Sequence, residues 1–236
     1  MTGVDQALRM AEPLRVVRRP LVVELVGPAA AGKSTLLRML GGRDRSLRAG
    51  LRPARHQHLR SAVALVPTFL ALHRGAGGVL WKEMKRITYL RTLHRILVGT
   101  ARSPRPVLLD EGPVYMLARL RMYGGDRMGS PAFQQWWRSA FEQWARTLDL
   151  VVWLDAPDAV LIDRIRTRSQ RHRMQEVADS SILQFLTSYR QAYTEVIAGL
   201  TAPLHLRVLS FRTDQEPATR IAEQVGAAIG EGEPGP

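Results

Sequence analysis

One short segment constrains this chain more than any other: Gly27-Pro-Ala-Ala-Ala-Gly32-Lys33-Ser34, set between an apolar run and a helix-forming stretch. The run Leu21-Val-Val-Glu-Leu-Val26 is rich in β-branched residues, stops at Gly27 and reads as a buried strand. Ser34 to Leu40 is helix-forming, and the following Gly41-Gly42 predicts that the helix closes there. Glycines at this spacing between a strand and a helix let backbone N–H groups turn inward as an anion nest. The helix N-terminus adds its positive end to the same point. Lys33 then reaches the outer phosphates of a nucleotide, and the Ser34 hydroxyl is placed to ligate Mg²⁺.

The rest of the chain alternates strands with long helical stretches. Val107-Leu-Leu-Asp110, Leu150-Val-Val-Trp-Leu154 and Leu204 to Phe211 read as further strands. Helices are expected near 61–73, 79–101, 113–122, 131–147, 158–168, 179–199 and 216–229, with residues 43–60 Arg-rich and irregular. This order predicts an α/β fold, a P-loop NTPase with three layers, α/β/α, and a mainly parallel central sheet. Residues 1–20 read as a flexible arm, 21–230 as the domain, and 231–236 as a disordered Gly/Pro/Glu tail. Within the domain, 61–101 reads as a helical lobe on the acceptor side, and 164–176 as an Arg-rich lid. The run Ala62 to Leu72 suits either plain core or one wall of an apolar acceptor pocket.

Composition narrows the chemistry. The chain has no Cys, which excludes disulfides, Cys-ligated zinc, iron–sulfur clusters and a thiol nucleophile. The longest apolar run is too short to span a bilayer, and no signal-peptide core precedes Leu21, so a cytoplasmic protein is expected. The formal net charge is +13, carried almost wholly by Arg, since Lys33, Lys82 and Lys85 are the only lysines. Such a surface attracts anions. Nucleic acid is disfavoured as the partner, because aromatics are not interleaved with the basic runs. The histidines lack metal spacing, His56 and His58 reading as surface residues. Trp136, Trp137, Phe141 and Trp144 read as packing.

Two further segments complete a phosphoryl-transfer site. Asp110 ends a strand, the expected place for the second acidic group beside a phosphate loop, holding Mg²⁺ directly or through water. Glu111 suits either a base that accepts a hydroxyl proton or a charge at the start of the next helix. Arg164 and Arg168 share one helix face and lead into Arg171 and Arg173. Guanidiniums there would close over the phosphates and meet charge as it develops.

In this order, the phosphate loop, the strand-end acid, Leu154-Asp155-Ala-Pro157, the helix with Arg164 and Arg168, and Phe185-Leu186-x-x-Tyr189-x-x-x-Tyr193 resemble the thymidylate kinase and deoxynucleoside kinase branch of the P-loop kinases. The resemblance covers roughly residues 20 to 230. It implies that Gly27 to Thr35, Ala30 and Ala31 included, bind the phosphates of ATP. It implies that Arg164, Arg168 and Arg171 belong to the lid, and that the loop from Arg212 to Asp214 lies against the adenine.

The sequence departs from that branch where an Arg usually follows the strand-end acid: it has Asp110-Glu111-Gly112-Pro113. A carboxylate there favours an alcohol acceptor, which gains from a base, over a monophosphate, which needs a cationic clamp. Against this, Arg43, Arg45, Arg48, Arg52, Arg55 and Arg60, or Arg119 and Arg121, would suit an anionic acceptor. The expectation is an ATP- and Mg²⁺-dependent kinase acting on a hydroxyl of a nucleoside-like or other small metabolite, with a homodimer as the candidate assembly. The alternatives are a nucleoside monophosphate kinase or a regulatory ATPase. The lid arginines disfavour the last, since a closing lid serves to exclude water.

Overall fold

The computed structural model describes residues 19–43, 48–49, 51, 53–75, 81–100, 105–168, 174–201 and 206–230. Among the described residues there are five strands: β1 (Val22–Val26), β2 (Arg48–Ala49), β3 (Val107–Leu109), β4 (Leu150–Asp155) and β5 (Arg207–Arg212). They form one sheet in the order β2-β3-β1-β4-β5, every pair parallel. Register follows side-chain alternation: Val22, Val26, Val107 and Leu109 face one apolar layer, while Val23, Leu25, Leu108 and Val152 face the other.

Helices cover both faces. The first layer packs against α3 (Val66–Gly75), α4 (Trp81–Gly99), α5 (Pro113–Tyr123) and α6 (Pro131–Ala145), while α2 (Arg55–Ala64) lies against α4. The second packs against α1 (Lys33–Arg43), α7 (Asp158–Thr167) and α9 (Ala218–Gly230). The long helix α8 (Asp179–Thr201) contributes to both, through Ile182 and Leu186 to one and Tyr193 and Val196 to the other. This is the three-layer α/β/α P-loop arrangement. No helix among the described residues is long and apolar enough to cross a membrane.

Four local expectations need correction. Helix α1 does not close at Gly41-Gly42 but runs through them to Arg43. The irregular stretch 43–60 holds the short edge strand β2, whose two residues carry no alternation to announce it. The helix expected over 61–73 is two helices that meet at Leu65. Pro67 explains the break, because it has no N–H to offer the carbonyl four residues back and its ring crowds that turn. The helical stretch therefore begins at Arg55, ahead of the expected residue 61. The proposed arm up to residue 18 and the tail 231–236 lie outside the described residues.

The aromatic cluster of α6 is packing. Phe133 and Trp144 are buried, and Trp137 meets Phe141 with ring centroids 5.0 Å apart. Phe141 in turn lies on Gly199 of α8, where an added Cβ would come within 2.4 Å of the ring.

Candidate active site

The phosphate loop is shaped by three residues at positive φ: Gly27 at +145°, Ala30 at +63° and Gly32 at +96°. Gly27 is required by a close approach as well, since a Cβ there would lie 2.0 Å from the Leu154 carbonyl oxygen on β4. Ala30 holds a left-handed conformation that costs an L-residue roughly 1–2 kcal/mol. The Gly32 carbonyl accepts from the N–H of Thr35 and of Leu36, which starts α1 at the loop. The Lys33 ammonium is folded into the loop, donating to the carbonyls of Gly27 (2.7 Å) and Pro28 (2.8 Å). Burial pushes its pKa down to about 8, with Asp110 pulling the other way.

One cavity of about 420 Å³ gathers most of the expected site. Ala30, Gly32, Lys33, Ser34 and Thr35 form its floor. Asp110 and Glu111, just past β3, form one wall, and Arg164 and Arg168, at the end of α7, form the other. Tyr115 and Arg119 of α5, with Phe185 and Tyr189 of α8, close the remaining side. A smaller cleft of about 250 Å³ shares Gly32, Thr35 and Arg164 with this cavity and continues to Leu154, Thr213 and Ile221. Arg164 donates to the hydroxyl and the carbonyl of Thr213, both at 2.9 Å, and so ties α7 to the loop after β5. Arg212 and Asp214, on either side of Thr213, pair with each other at 3.2 Å and do not line the cavity or the cleft.

Among the arginines weighed as acceptor clamps, Arg119 lines the cavity. Arg121 does not: it pairs with Glu195 of α8 at 2.7 Å on the surface. Arg55 and Arg60 are exposed on α2, away from the cavity. The side chains of Arg43, Arg45, Arg48, Arg52 and Arg171 lie outside the described residues.

Several residues that hold the site in place were not singled out from sequence. Glu24 stands on β1 between Val22 and Val26 and is fully buried. Its carboxyl oxygens accept from the backbone N–H of Val114 (2.8 Å) and Tyr115 (2.9 Å). They serve the first turn of α5, whose N-cap, Gly112, has no side chain to do so. A Cβ on Gly112 would come within 2.6 Å of the Glu24 carboxyl carbon, so the glycine in Asp110-Glu111-Gly112 is required by Glu24. Burial pushes the Glu24 pKa up to about 8 against those N–H donors, with Asp110 adding to the rise. The signal in the sequence was a lone charge in an otherwise apolar strand.

Two arginines brace the ends of α7. Arg190 of α8 donates to Asp155 (2.8 and 3.0 Å), to Asp158 (2.5 Å) and to the Ala156 carbonyl (2.9 Å), locking the end of β4 to the start of α7. Arg166 donates to the carbonyls of Gln175 and Val177 and to Asp179, joining the end of α7 to the start of α8. Behind the cavity, the Tyr189 hydroxyl donates to that of Tyr193 at 2.5 Å, and burial pushes both phenols up.

Residues 22–192 match the family described as AAA domain. No curated protein matches the sequence. Among solved structures, the YorR protein of Bacillus subtilis in complex with phosphorylated GDP is 16% identical, with a TM-score of 0.51 over 88% of this chain and 95% of that one. A deoxyadenosine kinase from M. mycoides with bound dCTP is 14% identical, with a TM-score of 0.49 over 89% of this chain and 100% of that one.

Proposed function

The chain belongs to the P-loop family described as AAA domain, and from that premise we propose that it transfers the γ-phosphoryl group of ATP to a hydroxyl of a small-molecule acceptor. The observation that carries this reading is one cavity in which a P-loop lysine, a strand-end acid and two arginines of a third element face one another. Phosphoryl transfer asks little covalent chemistry of the protein, and positioning with charge stabilisation does most of the work. Lys33 leaves its loop carbonyls for the phosphates. Arg164 and Arg168 meet the charge that grows as the bond to ADP breaks. The cleft beside Thr213 takes the base of the nucleotide.

Ser34 and Asp110 would hold Mg²⁺. The donor set fits, since one hydroxyl and one carboxylate leave the remaining octahedral positions to phosphate and water oxygens. Among the described residues no group of three His, Asp or Glu is close enough to form an all-protein metal cage, which suits an ion brought with the nucleotide. The ion would neutralise phosphate charge in that position. Glu111 is exposed at the cavity wall, where a carboxylate would accept the acceptor's hydroxyl proton. Arg119 in the same cavity favours a second reading, a phosphomonoester acceptor.

The test is transfer of label from [γ-³²P]ATP to a panel of hydroxyl and phosphate acceptors, with Lys33→Ala and Asp110→Asn alongside. Lys33→Ala should abolish turnover. Asp110→Asn should lose activity and recover part of it with raised Mg²⁺ or with Mn²⁺. Full activity in Lys33→Ala would overturn the reading, and release of inorganic phosphate with no acceptor labelled would point to an ATPase.

A further inference from the structure

A second and larger cavity, of about 590 Å³, opens between α2, α4 and α5. Its wall is apolar and aromatic, with Leu59, Phe69, Trp81, Met84 and Met116. Leu59 and Trp81 are 67% and 68% exposed, an unusual state for such side chains in a helical lobe. They belong to a wider patch: of nine strongly exposed large apolar residues among those described, five (Leu59, Val63, Val66, Leu70 and Trp81) lie on α2, α3 and the first residue of α4. A volume in this range with an apolar wall and a few converging polar groups is the usual form of a small-molecule site.

The charged groups at this cavity are cationic. Arg55, Lys85 and Arg86 line it beside His58, Thr88 and Tyr89, and among the described residues no carboxylate does. The ammonium of Lys85 lies over the Trp81 ring, 5.1 Å from its centroid. Lysine here is itself informative. The chain has 34 basic residues and only three are Lys. One serves the phosphate loop, and the other two, Lys82 and Lys85, sit together at the start of α4. Lys and Arg are not interchangeable, a compact ammonium on a flexible stem being suited to follow a mobile anionic group.

The cavity also adjoins the phosphate site. The guanidiniums of Arg86 and Arg119 both pack on the ring of Tyr123, at 5.7 and 4.7 Å from its centroid. Arg119 and its neighbour Tyr115 line the phosphate cavity, while Arg86 and Met116 line the apolar one. Helix α5 is therefore a wall common to both.

Resting on the kinase reading above, we propose that the acceptor is an amphiphile whose apolar body lies in the α2–α4–α5 cavity, with an anionic group held by Lys85, Arg55 and Arg86. Its hydroxyl passes Tyr115 and Arg119 to reach Glu111. The hydroxyl oxygen forms a bond to the γ-phosphorus, the bond from that phosphorus to the β,γ-bridging oxygen breaks, and ADP leaves. The hydroxyl proton goes to the Glu111 carboxylate. A free nucleoside would leave the apolar wall unfilled.

The probe is 12-hydroxydodecanoate, with dodecanol (no anion), acetate (no chain) and thymidine for comparison. Binding is followed by tryptophan emission, and transfer by label from [γ-³²P]ATP with Mg²⁺. The hydroxy acid should bind at least ten-fold more tightly than dodecanol or acetate, shift the emission to the blue through Trp81, and receive label. Trp81→Phe should remove the shift. Leu59→Glu, at an exposed position that leaves folding intact, should weaken the hydroxy acid at least ten-fold and leave ATP affinity unchanged. Lys33→Ala should still bind the hydroxy acid but not phosphorylate it. The proposal is overturned if Leu59→Glu binds as the wild type does, if dodecanol matches the hydroxy acid, or if sedimentation shows a dimer that Leu59→Glu dissociates. Label on thymidine alone overturns it while the kinase reading stands. Label on nothing, with the hydroxy acid still bound, overturns the acceptor assignment together with the kinase reading.

Discussion

Glu24 shows how one buried side chain joins two parts of the site. It sits on the strand that ends in the phosphate loop, and it supplies the first turn of the helix that follows Asp110-Glu111. Its pKa is raised from an ordinary 4.5 to about 8, so the folded protein takes up a proton that the unfolded chain does not hold between those values. The stability this contributes is fully present below about pH 4.5 and drains away as pH rises through 8. Glu24→Gln should flatten that part of the pH dependence, measured by chemical denaturation at intervals from pH 5 to 8. It should also lower stability by about 1–3 kcal/mol, because the amide N–H of Gln faces backbone donors. Parallel curves for the two proteins would show that Glu24 does not titrate there. Gly27 is the other residue whose identity follows from contact. Gly27→Ala places a carbon 2.0 Å from the Leu154 carbonyl, so it should displace β4 from the loop and remove nucleotide binding, read by calorimetry. The phosphate loop was legible in sequence because its chemistry depends on residue types at fixed spacing. Glu24 was not, because its role depends on an α5 that arrives ninety residues later.

At the scale of elements, the strands and the helices after residue 107 followed hydrophobic periodicity closely, since each buries a face against a defined layer. The errors fell in the stretch from Gly41 to Gly75. There a two-residue strand has no period, and two glycines stay helical. The run of arginines that begins at Arg164 predicts a lid, and the structure divides that run by partner. Arg164 and Arg168 line the phosphate cavity, whereas Arg166 braces the ends of the segment. Their variants should separate accordingly. Arg168→Ala should lower kcat and kcat/KM together by about a hundred- to a thousand-fold, the cost of one charge-stabilising donor. Arg190→Ala removes the clamp on Asp155 and Asp158, which are half-buried, and should cost about 2 kcal/mol after allowance for solvent screening. In a chain of this size that is a fall in Tm of roughly 4–8 °C. A loss of activity in Arg190→Ala with no change in Tm would assign Arg190 to the reaction instead.

For the whole molecule, the distribution of charge matters more than any single pair. Basic residues outnumber acidic ones 34 to 21, which leaves a formal net charge of +13. Several of the visible carboxylates are committed to structure: Asp149 to Arg19, Asp155 and Asp158 to Arg190, Glu195 to Arg121. The phosphate cavity itself is lined by Lys33, Arg119, Arg164 and Arg168 against Asp110 and Glu111, an excess of positive charge, and such an excess raises the encounter rate of an anion without changing its bound contacts. The association rate of ATP should fall as salt rises, because the Debye length shrinks from about 10 Å at 0.1 M to about 3 Å at 1 M. The dissociation rate depends on contacts within the cavity, which salt screens less, and should change little by comparison. Stopped-flow binding of a fluorescent ATP analogue from 0.05 to 1 M NaCl resolves the two. The same excess charge repels itself in the folded state, so Tm should rise over that range as the repulsion is screened. A salt-independent association rate together with a rising Tm would mean that the charge bears on stability alone, and that the arginines are spread too evenly over the surface to draw a nucleotide toward Lys33.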